Sequence, residues 1–228
     1  MQEALQDVLS RIESAKKRAH RTDEIKLVAV TKYHPLEELE EAVRLGVTAV
    51  GENRVQEMKS KFQSYKGSEI EWHLIGHLQL NKVRQVVPIA SVIQSVDSEK
   101  LLAEIDRIAA RENKIQSVLL QVNIAGEEQK SGIEVTEFPH IINVSKRFEN
   151  VRVEGLMCMA PIADNSEEVR PIFRRGKELF EEMKVAFPEG QIRYLSMGMS
   201  DDFEVAIEEG ANIVRVGSAI FGERDYSK

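Results

Sequence analysis

Reactive side chains in this sequence gather at the ends of short apolar runs. The run KLVAVTK, residues 26–32, ends in Lys32 and is followed by Tyr33, His34 and Pro35. If Val28 and Val30 face an interior, the two-residue period of a strand puts Lys32 on the same side, at the strand's carboxyl end. A lysine desolvated there has an amine free to attack a carbonyl and form a Schiff base. The plainer alternative is a lysine that merely snorkels out of a strand end. Two later stretches, LSMGMSDD at 195–202 and RVGSAIFG at 215–222, combine Gly198 and Gly217 with the hydroxyls of Ser200 and Ser218. Glycine permits close backbone approach, and the free N–H groups at a helix start favour an anion. Taken singly, Ser200 reads equally as an N-cap and Gly217 as a turn residue. Asp201 and Asp202 would oppose an anion unless they point away as first-turn helix residues.

Arg215 lies two residues from both Ile213 and Gly217 and so shares their strand face. If that face is interior, the guanidinium requires a partner, because an unpaired buried charge is costly. A reversed face would let it snorkel between helices instead. Asn53, in the tripeptide GEN, can hydrogen-bond a ligand or cap the following helix. His73 and His77 read as core or loop histidines, and their spacing from carboxylates makes no convincing metal site.

The elements that must position these residues alternate along the whole chain. After an N-terminal helix with Leu5, Val8, Leu9 and Ile12 on one stripe, the strand KLVAVTK is followed by a helix that opens at Pro35 and stops at Gly46. Then come VTAVGEN and a helix, WHLIG at 72–76 and LNKVRQVV, SVIQSV at 91–96 and the amphipathic SEKLLAEIDRIAAREN. SVLLQVN at 117–123 leads through the polar loop AGEEQKSG to a predicted helix over 134–148. VRVEGLMCM at 151–159 precedes a long helix after Asn165, RYLSMG at 193–198 precedes DDFEVAIEEG, and NIVRVGS at 212–218 is the last strand. Eight strands, each but the last followed by a helix, predict an α/β fold of the (β/α)8 barrel type, with a doubly wound open sheet as the alternative. In such a barrel the loops after strands seven and eight form a recurrent phosphate site, and both serine–glycine stretches fall there.

The 228 residues, 42% hydrophobic and 30% charged, suit one large core, so residues 1–228 are expected to form a single domain with an N-terminal helix. The net charge of -7 argues against a nucleic-acid partner, and no basic block offsets it. The lone Cys158 excludes an intrachain disulfide framework and implies a reducing compartment. Its apolar setting, GLMCMAP, predicts a buried and inert thiol. No signal peptide or membrane span is read in the sequence, so a cytoplasmic protein without a membrane partner is expected.

With Lys32, GEN at 51–53, IGHLQLNK at 75–82, EGLMCMAP at 154–161, LSMGMSDD at 195–202 and VRVGSAIFG at 214–222 in order, the chain resembles the pyridoxal phosphate homeostasis protein family. The resemblance covers nearly the whole chain, and LSMGMS with RVGSAIFG is its most specific part. It implies a single-domain barrel of the alanine racemase type, fold type III among proteins that bind pyridoxal 5'-phosphate (PLP), holding that cofactor without a known catalytic activity. It further implies that Lys32 forms the internal aldimine and that Ser200, Gly217 and Ser218 with neighbouring amides cradle the phosphate. Arg215 would face the pyridine nitrogen and Asn53 would lie beside the ring. Apo PLP enzymes or amino acids are the implied further partners, and a monomer is expected. Departures from the family pattern are Thr31 and Ser218, where serine and threonine respectively are commoner, and Arg54 at a position where an aromatic is frequent. A cationic arginine against the ring nitrogen disfavours its protonation and makes a poorer electron sink than a carboxylate would. An amino-acid racemase of the same barrel type is the alternative, but its glycine-rich stretch after the lysine is replaced here by KYHP, and no residues are left for its second domain. A Schiff-base lyase acting on sugar phosphates is a third reading, and it needs an interior acid or base that the sequence does not reveal.

Overall fold

The computed structural model describes residues 1–126 and 131–222. The middle of the loop AGEEQKSG, residues 127–130, lies outside the described residues. Eight parallel strands close into a barrel: β1 Lys26–Val30, β2 Ala49–Glu52, β3 Glu71–Leu74, β4 Val92–Val96, β5 Gln116–Asn123, β7 Val151–Met157, β8 Tyr194–Ser196 and β9 Ile213–Val216. Their order is β4-β3-β2-β1-β9-β8-β7-β5, and pairing of β4 with β5 closes the ring. A two-residue strand, β6 Ile133–Glu134, adds to the edge of β5 beyond the barrel. The open-sheet alternative is thereby set aside.

Alternation along each strand sorts side chains between two cores. Val28, Ala49, Val92, Leu119, Met157 and Ile213 fill the barrel interior. Their neighbours, among them Ala29, Val50, Ile93, Leu120, Leu156 and Val214, face outward into a much larger core beneath the helices. The helices are α1 Gln2–Arg18, α2 Leu36–Arg44, α3 Val55–Ser64, α4 Val83–Val86, α5 Glu99–Arg111, α6 Phe138–Ser145, α7 Arg170–Ala186, α8 Phe203–Glu208 and α9 Ser218–Phe221. In α1 the buried stripe is Leu5, Val8, Ile12 and Ala15, whereas Leu9, read as part of it, is 40% exposed. Arg11 and Arg18 tie this helix to Glu204 and Glu208 on α8, and the Arg11 guanidinium lies over the Phe203 ring.

Three expectations about elements need correction. The helix predicted over 134–148 covers only Phe138–Ser145, because β6 takes the first residues and Pro139 belongs in a first turn, where its missing N–H costs nothing. The strand predicted to end in Lys32 stops at Val30. The last strand is followed by a helix after all, the one-turn α9. Among the described residues no helix is long and apolar enough to cross a membrane.

Candidate functional site

Lys32 sits in a turn directly above the carboxyl end of β1, closed by the His34 N–H donating to the Thr31 carbonyl at 3.1 Å. Tyr33 takes a left-handed conformation there, φ 66°, so the chain reverses sharply just past the lysine. A buried polar cluster behind the strand fixes this turn. Lys61 Nζ donates to the Thr31 carbonyl at 2.6 Å, to Glu52 Oε1 at 2.7 Å and to Glu57 Oε1 at 2.8 Å. The Thr31 hydroxyl donates to Glu52 Oε1 at 2.5 Å, and the Tyr33 N–H donates to Glu57 Oε1 at 2.7 Å. The peptide groups on both sides of Lys32 are thus held by charged groups. Burial pushes the Glu52 carboxyl above its ordinary value, and Lys61 works against that shift. This cluster escaped the sequence reading. Its signal was Lys61 at the buried spacing of α3, in line with Val55 and Met58.

Arg215 faces the barrel interior, its strand partner being Val28 across the β1–β9 pairing, and it is 3% exposed. The reversed-face alternative is excluded. Its Nη1 donates to Ser196 Oγ at 2.7 Å and its Nη2 to the Cys158 carbonyl at 3.0 Å. Burial pushes the guanidinium pKa down, yet an arginine stays charged in proteins. The interior therefore carries a fixed cation near its upper end.

The loops after β8 and β9 meet at Ser200. Its Oγ accepts from the N–H of Gly217 at 3.2 Å and of Ala219 at 3.4 Å, both at the start of α9. Ser200 is therefore no N-cap of α8, a position taken by Asp202. The Asp202 carboxylate turns into its own loop to accept from the Met199 N–H at 2.6 Å, while burial pushes its pKa up. Gly198 has φ 94°, and a Cβ there would stand 2.6 Å from the Cβ of Ala206, so glycine is required for the loop to fold onto α8. A Cβ on Gly217 would meet Val30 at 3.3 Å, which lets the β9 loop lie close against β1. Ser218 is exposed as the first residue of α9.

Asn53 stands two residues beyond the interior-facing Gly51, and its Oδ1 is buried with no hydrogen-bond partner. It does not cap α3, whose N-cap is Arg54. His73 is a core histidine and His77 a largely exposed one, 3.7 Å from Asp97. Among the described residues no group of three or more potential ligands could hold a metal ion. Cys158 is buried and its thiol is pushed up to about 12 by burial.

One mouth of the barrel therefore gathers an amine, an interior guanidinium, convergent backbone N–H groups at a helix start, and an orphaned amide oxygen. These are groups of the kinds that a phosphorylated heteroaromatic aldehyde would engage, and the β8 loop that carries Ser200 to this mouth folds onto α8 only with glycine at position 198.

Comparison with known proteins places the chain. Residues 4–225 match the family described as alanine racemase, N-terminal domain. The pyridoxal phosphate homeostasis protein of Aquifex aeolicus is 44% identical over 229 residues, covering 98% of each chain. A structure of PipY from Synechococcus elongatus with PLP bound superposes with a TM-score of 0.82 at 33% identity, covering 93% of this chain and 100% of that one. An alanine racemase of Clostridium difficile shares the fold at a TM-score of 0.75 and 17% identity, with 99% of this chain matching 60% of that enzyme. From the matched residues, the full-length identity and the shared barrel, the chain belongs to the pyridoxal phosphate homeostasis protein family.

Proposed function

We propose that this protein binds PLP at the carboxyl-end mouth of its barrel and serves PLP homeostasis by holding the cofactor, without turning over a substrate. The observation that carries the reading is the convergence on one mouth of Lys32, Arg215, Asn53 and the Ser200–Gly217–Ala219 cradle. When bound, PLP supplies an aldehyde that a lysine amine can capture and a ring that withdraws electrons. Lys32 presents that amine on a turn whose flanking peptides are pinned by Lys61 and Glu57. Ser200, Gly217 and Ser218, with the N–H groups opening α9, bind the phosphate. Asn53 offers Oδ1 beside the ring, and Arg215 keeps a positive charge against the ring nitrogen, which disfavours its protonation. Such a site favours retention over proton abstraction. A buried single thiol suits the cytosol, where apo PLP enzymes or amino acids would receive the cofactor.

Borohydride reduction of the PLP-loaded protein followed by peptide mapping tests the reading. The pyridoxyl group is expected on Lys32. An adduct mainly on Lys82, or on Lys130 outside the described residues, overturns it.

A further inference from the structure

Below Arg215, the barrel interior holds a line of polar side chains to which the binding reading gives no task. Arg215 donates to Ser196 Oγ at 2.7 Å, and that hydroxyl donates to Gln94 Oε1 at 2.6 Å. Gln94 Nε2 meets His73 Nδ1 at 2.8 Å, and His73 Nε2 meets Glu71 Oε2 at 2.9 Å. Lys26 Nζ reaches both Glu71 oxygens at 2.6 and 2.7 Å. Ser196 and Gln94 are fully buried and His73 is 1% exposed. Glu71 and Lys26 begin their strands, so the line runs from beneath the mouth to the opposite, solvent-facing end of the barrel.

The direction of every bond follows from the two ends. A guanidinium can only donate, so Ser196 accepts from Arg215 and its own O–H donates to Gln94 Oε1. At the far end Lys26 Nζ on both oxygens holds Glu71 as a carboxylate, which can only accept, so the imidazole must donate through Nε2. Burial keeps His73 neutral, which leaves Nδ1 as an acceptor and requires Gln94 to donate to it. A flipped Gln94 amide would demand a proton on Nδ1 and turn a lone pair toward the carboxylate. Four successive donors therefore point one way, from the buried cation toward the carboxylate, the arrangement in which hydrogen bonds polarise one another. Among the described residues Arg215 forms no direct ion pair, and its other hydrogen bond goes to the neutral Cys158 carbonyl.

We infer that Ser196, Gln94 and His73 are positioning residues for Arg215, joining its charge to Glu71 at the opposite end of the barrel and holding the guanidinium in one orientation toward the cofactor ring. The inference rests on the proposal that PLP occupies the mouth. The chain makes the ring nitrogen's environment a property of the whole barrel axis, with Arg215 fixed from below and unable to turn away from its place.

The test compares Gln94→Leu, which removes both polar contacts at similar volume, with Leu119→Ala, an interior apolar truncation outside the chain. In the PLP-loaded protein the visible cofactor band of Gln94→Leu is expected to titrate about one pH unit away from wild type, the equivalent of a tenfold change. PLP should also dissociate about tenfold faster, the loss of roughly one hydrogen bond's hold on Arg215. Leu119→Ala should keep the wild-type titration. Equal shifts in both variants, or none in Gln94→Leu, overturn the positioning role. Nitrogen-15 NMR of the unloaded wild type provides the second arm, with the His73 proton expected on Nε2 and a proton on Nδ1 refuting the chain. Failure of wild-type protein to retain PLP would instead refute the binding reading, and the imidazole spectrum would still decide whether the chain exists.

Discussion

Replacing Lys61 by methionine keeps the reach of the side chain and deletes its charge, so Glu52 loses its ion-pair partner while α3 keeps its packing. Glu52 is fully buried, one oxygen is already without a partner, and the other would retain only the Thr31 hydroxyl. Removing one member of a buried pair costs roughly 3–5 kcal/mol where the remaining charge cannot be neutralised. Here it can, because a carboxyl of ordinary pKa 4.5 is protonated at pH 7 for about 1.4 kcal/mol per pH unit, or about 3 kcal/mol in all. That sets the expected loss at pH 7. The penalty belongs to the ionised form, so it shrinks as pH falls, to about 1.4 kcal/mol at pH 5.5. Urea unfolding of the PLP-free protein at both values, with unchanged slope, measures it. The double variant Glu52→Gln/Lys61→Met, with no buried charge left on that strand, should return to within about 1 kcal/mol of wild type. It should still retain PLP poorly, since nothing then donates from α3 to the Thr31 carbonyl beside Lys32. A loss below about 1 kcal/mol at pH 7, or one equal at the two pH values, would refute the reasoning.

Alanine at both Ser200 and Ser218 should weaken retention of PLP by one to a few hydrogen bonds, each on the order of 1.5–3 kcal/mol to a charged acceptor, while pyridoxal lacking the phosphate binds as before. Equal losses for the two ligands in equilibrium dialysis would remove the phosphate assignment. Cys158, buried with its thiol pushed up to about 12, should ignore a thiol reagent at pH 8 in the native state and react once unfolded. Native labelling at the unfolded rate would contradict its burial. Glu71, whose pKa is lowered to about 2 from 4.5, stabilises the fold above its unfolded value, a contribution lost as pH falls from about 4.5 toward 2. The group is nearly half exposed, so screening makes the effect modest, and Glu71→Gln should flatten the acid limb of the stability curve. An unchanged limb would count against it.

The barrel was legible because its strands are buried on both sides. Runs such as SVIQSV and SVLLQVN have no alternating polar face, the pattern that a parallel sheet wrapped by helices imposes. The mouth was legible where one residue type serves few purposes: the lysine after KLVAV, the arginine in NIVRV, the glycines at tight approaches. What sequence periodicity could not supply was pairing across the ring. Gln94 and Ser196 are 102 positions apart and meet only because β4 and β8 face each other across the interior. Each is an ordinary polar residue in its own strand, and only closure of the sheet makes them partners. Glu52 was hidden for the opposite reason, as it faces outward to Lys61 one helix later, at a place where a strand end leads into a helix and either face is plausible.

The interior imidazole bears on turnover. Racemisation takes a proton from one face of an α-carbon and returns one from the other, so it needs a second base besides the lysine. His73 is the interior histidine, but both ring nitrogens are engaged, by Gln94 and by Glu71, and it lies lower in the barrel than the strand ends. Burial holds it neutral, and a proton taken up at Nδ1 would break the bond from Gln94 and leave a buried cation in line with Arg215. His34 is tied to Glu38 and packed on Phe221, and the Asp202 carboxylate is spent on a backbone N–H. In the proposed binding mode Arg215 would add to this by opposing the ring protonation that helps hold carbanion charge. Added amino acid is therefore expected to change the visible spectrum of the loaded protein without washing deuterium into the α-carbon and without converting L- to D-alanine. Sustained conversion that disappears in Lys32→Ala would show that a second base exists at the mouth, and His77 beside Asp97 would be the first group to replace.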